Sequence, residues 1–203
     1  MNTSSIRQAF LKKRRSLDRP TQDRASALAL KQFQQHSSFA QAQRIASFWA
    51  IRGEMPTQAL NQLLIDQHRQ VFLPHPDPHH QHSLVFVEYQ QDTPFERDQF
   101  GIPVPVYSEK NIHNPATFDL ILIPLVAVDT LGNRVGMGKG FYDRTLNKIQ
   151  NAHNAQSPRP LLVGWCYEWQ VTPEPLHPQP WDVPLDALIT EQTIRWFTPN
   201  STR

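Results

Sequence analysis

The run from Asp119 to Arg144, DLILIPLVAVDTLGNRVGMGKGFYDR, constrains this chain more than any other stretch. Leu120 to Ile123 form a short continuous apolar segment, too short to span a membrane and without helical spacing, which predicts a strand buried on both faces. Pro124 has no N–H to give a sheet and ends that strand's ladder. Val126 to Val128 are apolar again, and Asp129 to Asn133 carry turn residues. Gly136, Gly138 and Gly140 then fall at alternate positions, where missing side chains let the backbone approach a ligand closely. From Phe141 to Leu146 there are no breakers, which predicts a helix whose free N–H groups and dipole point at whatever the glycines cradle. An anion suits that place. The spacing is not a Walker loop, since Gly140 rather than Ser or Thr follows Lys139, and it is not the dinucleotide fingerprint, whose third glycine comes one residue later. A glycine-rich turn with no ligand fits the same letters, so the run alone leaves both readings open.

The chain has 203 residues, enough for one domain with its own core, and a single domain over 1–203 is expected. Lys and Arg number 20 against 18 acids, a net charge of +2, so a uniformly basic nucleic-acid surface is not indicated and anion binding must be local. The single Cys166 excludes an internal disulfide and is expected in the core near a strand end. No apolar run approaches the roughly 20 residues of a membrane span, and there is no signal-peptide pattern, so a cytoplasmic protein with no membrane partner is expected. The 18 prolines gather at Pro74 to Pro78, Pro103 to Pro105 and Pro173 to Pro184, which predicts ordered or semi-ordered loops there.

With Ser4 or Ser5 as cap, Ile6 to Leu17 reads as a basic helix in which Lys12, Lys13, Arg14 and Arg15 belong to a solvated face and Arg7 stands apart. Thr21 can cap a second helix reaching about Ser37, and Ile45 to Trp49 reads as a buried strand. Glu54 follows just past that strand's carboxyl end, where open α/β sheets bind ligands; it is a substrate contact or a helix-start acid beside Thr57. Leu60 to Ile65 predicts a helix, and Val71 to Leu73 and Leu84 to Tyr89 predict strands. Between those strands His75, His79, His80 and His82 lack cysteines and helical spacing and lie among prolines, an exposed loop rather than a zinc site. The helix from Phe141 extends to about Gln150, Leu161 to Trp165 is a strand, and Ala187 to Thr190 is the last apolar run. Asp182, in WDVPLD, is either a turn residue or a second acid for a divalent cation. Strands alternating with helices predict an α/β, three-layer sandwich, its mostly parallel sheet covered by helices on both faces.

Pro124, Val126, Ala127, Val128, Asp129, Gly132 and Arg134, followed by GMGKGFYDR, resemble the 5-formyltetrahydrofolate cyclo-ligase family, also called 5,10-methenyltetrahydrofolate synthetases. Arg7, Glu54 with Thr57, FGIP at Phe100 to Pro103, and Trp181 with Asp182 extend the resemblance over nearly the whole length. It implies an α/β sandwich that turns 5-formyltetrahydrofolate and ATP into 5,10-methenyltetrahydrofolate, ADP and phosphate, with magnesium. It further implies that Arg134, Val135, Gly136, Met137, Gly138, Lys139, Gly140, Phe141 and Tyr142 hold the ATP phosphates, and that Arg7 reaches the nucleotide from the first helix. Trp49 and Glu54, with Met137, Gly138, Lys139, Gly140 and Phe141, would face the folate, and Asp143 and Asp182 would be the magnesium ligands. Lys139 and Arg134 are then the catalytic cations. Only small-molecule partners, ATP and the folate, and a monomeric chain are expected.

The reaction makes these residue types intelligible. A formyl oxygen is a poor leaving group, so transfer of the γ-phosphoryl makes an imidate phosphate that N10 can attack, and the protein's task is positioning and charge neutralisation. The chain departs from the family's pattern at Thr3, where a Lys is frequent, at Val104, where an acid is frequent, at Val128, usually Phe, and at Phe141, usually Tyr. Two rivals accompany this reading. One is a sugar-phosphate isomerase or CoA-transferase relative, against which Asp143 directly after the loop suits a metal–nucleotide complex better than an isolated phosphate. The other is a catalytically silent nucleotide- or folate-binding regulator, which Thr3 and Val104 would favour.

Overall fold

The computed structural model describes residues 3–152 and 159–197. Helices α1 (Thr3–Arg15), α2 (Arg19–Gln35) and α3 (Ser37–Ala40) precede strand β1 (Arg44–Ala46). Helix α4 (Gln58–Asp66) leads into β2 (Gln70–Pro76) and β3 (Leu84–Tyr89), then a small hairpin of β4 (Phe95–Arg97) and β5 (Pro103–Pro105), then β6 (Ile112–His113). Strand β7 (Leu120–Ile123) is followed by the short hairpin of β8 (Ala127–Asp129) and β9 (Arg134–Val135), the glycine loop and α5 (Phe141–Ala152). Strands β10 (Leu161–Trp165), β11 (Val171–Thr172), β12 (Ala187–Ile189) and β13 (Ile194–Trp196) complete the order.

Eight strands form the main sheet, in the order β13-β12-β10-β7-β1-β2-β3-β6. The middle five are parallel, with Leu122 opposite Val163 and Ile45 opposite both Leu120 and Val71, while β13 and β3 run antiparallel to them and β6 pairs antiparallel with β3 at the margin. This is the mostly parallel sheet expected. All four residues of β7 are at 0% exposure, and they alternate between two cores. Leu120 and Leu122 pack with Phe33, Phe39, Leu60 and Leu64 of α2 to α4, whereas Ile121 and Ile123 pack with Leu146 and Ile149 of α5. Each such side chain contributes about 1.5–3 kcal/mol on burial, so a polar substitution anywhere in β7 opens one of the two cores. A third, smaller cluster of Ile6, Val126, Ala127, Val135 and Leu176 seats α1 on the β8–β9 hairpin.

Several local expectations are corrected. Helix α1 already includes Thr3. The cap of α2 is Asp18, whose carboxylate accepts from the Thr21 N–H at 2.9 Å; Pro20, with its preset φ, starts the first turn, so Thr21 lies inside the helix. Strand β1 ends at Ala46, three residues before Trp49, and the helix expected to reach Ser37 breaks at His36. Pro74, Pro76, Pro103 and Pro105 stand in strands, not loops. The parallel ladder of β1 on β2 stops at Phe72, so Pro74 and Pro76 are flanked only by β3 and their missing N–H groups cost no central ladder bond. The strands β8, β9, β11 and β13 are only two or three residues long, too short for periodicity to announce them.

Candidate functional site

The segments leaving β1 and β7 at their carboxyl ends open into one cavity of about 1330 Å³, roofed by the amino-terminal half of α1 and the glycine loop. The loop is shaped from below by Asp129. Its buried carboxylate accepts from the N–H groups of Leu131, Asn133 and Leu176, each at 2.9 Å, and thereby fixes the turn that delivers Arg134. Gly138 and Gly140 adopt φ of +89° and +72°, conformations that side-chain-bearing residues rarely adopt. Arg7 donates from Nε to the Gly136 carbonyl at 2.9 Å, and its guanidinium lies where a Cβ on Gly138 would come within 3.4 Å of it. Arg7, expected to reach a nucleotide from the first helix, thus lies against the glycine loop.

Lys139 places its ammonium 5.5 Å from the Phe100 ring centre, and Phe100 meets Phe141 edge-on at 6.2 Å, so the FGIP element closes over the loop. Met137 is exposed at the loop's tip, and Val135 turns its side chain into the cluster under α1 rather than toward a ligand. Tyr142 buries its hydroxyl without a hydrogen-bond partner among the described residues; burial, and next the charge of Glu54, push its ionisation far up, so it is a neutral phenol.

Two residues expected to act separately are partners. Arg134, its side chain 4% exposed, donates to Asp143 at 2.6 Å and to the Val183 carbonyl at 3.1 Å. Asp182 accepts from the Gln179 N–H at 2.8 Å. Sequence spacing offered no reason for Asp182 to approach Asp143, yet both line the cavity, because the Asn147 amide donates to the backbone carbonyls of Asp143 and of Trp181. No cluster of three His, Cys, Asp or Glu suited to a metal occurs among the described residues, the histidine tract included.

The opposite wall follows β1. Trp49 packs on Phe95 and Tyr89, with ring centres 4.9 and 6.1 Å away, and carries the β4–β5 hairpin to the rim. Glu54 is turned into the cavity wall with its side chain 10% exposed. One carboxylate oxygen accepts from the Ile51 N–H at 3.0 Å, and the other lies 3.5 Å from a guanidinium nitrogen of Arg14. Burial raises the ionisation of Glu54, opposed by Arg14, the Ile51 N–H and Arg52. Glu54 is therefore not merely a helix-start acid, since α4 begins at Gln58 and the side chain points elsewhere.

Arg14 is the residue sequence reasoning missed. It is 1% exposed, not solvated, and burial lowers its own ionisation while Glu54 raises it. The signal was present: Arg14 follows Arg7 by two helical turns, so both share the face of α1 that meets the cavity. Cys166 lies buried just after β10 as expected, its thiol ionisation pushed well up by burial.

A cleft at the carboxyl ends of a parallel sheet, with a glycine loop opening a helix beside paired cations and acids, defines an α/β protein with a cavity suited to anionic small molecules. Within that class the chain belongs to the 5-formyltetrahydrofolate cyclo-ligase family, whose model matches residues 1–191. It is 41% identical over 177 residues to the 5-formyltetrahydrofolate cyclo-ligase of Haemophilus influenzae, covering 82% of this chain and 91% of that one. It is 30% identical over 182 residues to the Escherichia coli K12 5-formyltetrahydrofolate cyclo-ligase, covering 90% of this chain and 96% of that one. The NMR structure of the Aquifex aeolicus 5,10-methenyltetrahydrofolate synthetase superposes with a TM-score of 0.80 at 28% identity, covering 100% of this chain and 96% of the other.

Proposed function

We propose that this chain, acting as a monomeric single domain in the cytoplasm, converts 5-formyltetrahydrofolate and ATP to 5,10-methenyltetrahydrofolate, ADP and phosphate. The observation that carries the reading is that one cavity joins a cationic glycine loop to a buried carboxylate, Glu54, on the facing wall. The nucleotide phosphates lie along Gly136 to Tyr142, where backbone N–H groups and the start of α5 favour anions, with Arg7 alongside. The folate lies toward Trp49 and Glu54, whose acceptor oxygens suit ring N–H donors.

The formyl oxygen takes the γ-phosphoryl as the bond to ADP breaks. N10 then attacks the activated carbon and loses its proton, and the carbon–oxygen bond breaks with phosphate as the leaving group. Lys139 and Arg134 neutralise charge on the transferring oxygens; Arg134 has five N–H donors, and its bonds to Asp143 and the Val183 carbonyl hold the guanidinium in one orientation. Closure of Phe100 over Phe141 and Lys139 keeps water from the imidate.

Asp143 and Asp182 fit magnesium. Each has one oxygen bonded, to Arg134 or to the Gln179 N–H, both line the cavity, and this ion keeps several waters and needs only one or two carboxylates. When bound there it would supply further charge neutralisation at the phosphates.

The test is to follow methenyltetrahydrofolate in the near ultraviolet with both substrates, with each omitted, and with magnesium removed. Product only when all three are present is expected. Binding of both substrates without product would make the chain a silent regulator instead.

A further inference from the structure

Arg14 spans more of the cavity wall than any role so far given to it requires. Its Nε donates to the Arg52 carbonyl at 3.2 Å, one Nη to the Leu125 carbonyl at 3.4 Å, and the other contacts the Met137 sulfur at 3.8 Å. The guanidinium thus joins the loop after β1, the end of β7 and the glycine loop, while facing Glu54 at 3.5 Å. The approach of α1 is close enough that Gly53, at φ +78°, has no room for a Cβ, which would meet the Arg14 carbonyl oxygen at 2.5 Å. A fork with donors at three corners is what such a junction demands, and an ammonium cannot reproduce it.

We infer that Arg14 is a positioning residue for the folate: it holds Glu54 as a charged acceptor at a fixed place and ties that place to the glycine loop through Met137. The inference rests on the placement of folate against Glu54. A carboxylate this buried takes up a proton unless a cation faces it, and a protonated Glu54 offers ring N–H groups a weaker acceptor. The groups facing Glu54 are Arg14 from α1, Arg52 from its own loop, and the neutral phenols of Tyr142 from α5 and Tyr167 beyond β10, whose hydroxyl donates to the Gly53 carbonyl at 3.3 Å. Arg52 alone would remain as a cation once Arg14 is removed.

The experiment compares wild type, Arg14→Met, Arg14→Lys, Glu54→Gln and Arg14→Met/Glu54→Gln. Each is measured for the KM toward the formylated folate substrate, affinity for a non-hydrolysable ATP analogue, and thermal unfolding. Arg14→Met is expected to raise the folate KM roughly 10- to 100-fold, the size of one buried hydrogen-bonded contact, with ATP-analogue affinity held within about twofold. The double variant is expected to be no worse than Glu54→Gln. In Arg14→Met the folate KM should fall as pH rises, because burial without Arg14 favours the protonated form of Glu54 and a rise in pH restores the charged acceptor, and Glu54→Gln should abolish that dependence. Arg14→Lys keeps charge and stem and should give an intermediate KM; it carries the same test if Arg14→Met does not fold. Additive effects in the double variant, equal weakening of both ligands, or an unchanged folate KM in Arg14→Lys and Arg14→Met would overturn the inference alone. An unchanged folate KM in Glu54→Gln would overturn the placement of folate and the inference with it.

Discussion

The two walls of the cavity are built on opposite principles. On the glycine-loop wall the groups available to a ligand are backbone amides, a helix start and the cations of Arg7 and Lys139, with Gly138 and Gly140 needed for their positive φ. On the facing wall the proposed binding group is one carboxylate, Glu54, buried and held by Arg14 and the Ile51 N–H. The first wall suits a highly charged ligand that brings its own counter-ions, and the second suits a flat ligand read by a few directed hydrogen bonds. Damage to the loop wall should therefore show in turnover, and damage to the Glu54 wall in substrate affinity.

The largest expected effects are on the loop. Lys139→Met removes the charge proposed to neutralise the transferring phosphoryl, and kcat should fall about 100-fold at saturating ATP with folate KM little changed. An unchanged kcat would return Lys139 to solvent and leave the loop wall with backbone donors only. Asp143→Asn should lower methenyl formation by a similar ~100-fold, because a carboxylate proposed to hold magnesium is lost and Arg134 loses its charged partner. Thermal stability should fall less than activity does, since Asp143 is partly exposed, Asn can still accept from Arg134, and Arg134 keeps its bond to the Val183 carbonyl. A wild-type rate at limiting magnesium would refute the metal role.

Smaller and of a different kind is the effect on the facing wall. Glu54→Gln keeps the shape but turns one acceptor into a donor, so folate binding should weaken by about 1–3 kcal/mol, roughly 5- to 150-fold. ATP-analogue affinity should not move. Paired titrations under identical magnesium read both numbers, and a parallel loss of nucleotide binding would erase the distinction between the walls.

The same contrast explains what the sequence made legible. Backbone-built features announce themselves: alternate glycines, the breaker-free start of α5 and the all-apolar β7 could each be read from local spacing. Long-range pairing cannot. Arg14 looked like one more charge in a basic run because its partners lie 38 to 123 residues away, at Arg52, Leu125 and Met137. Asp182 does serve a turn, accepting from the Gln179 N–H, but its approach to Asp143 was not legible because the tie is made by an amide, Asn147, that carries no charge signal. The prolines misled for a related reason: whether Pro74 harms a strand depends on which neighbours flank it, and that is a fact of sheet order.

The smallest expected effect tests the division at its margin. Thr3 opens α1 one turn before Arg7, is exposed, and lines the cavity. If the amino-terminal end of α1 belongs to the nucleotide wall, Thr3→Lys adds a solvent-screened cation near the phosphates. Such exposed pairs contribute about 0.2–1 kcal/mol, so ATP-analogue affinity should improve by no more than about fivefold. The gain should shrink at high salt, because an exposed charge is screened within about 10 Å at 0.1 M ionic strength. Folate KM should stay at its wild-type value, since Arg14, which faces Glu54, stands at the other end of α1. A folate effect larger than the nucleotide effect would mean that the tail of the folate, rather than ATP, runs past the start of α1, and the boundary between the walls would have to be redrawn there.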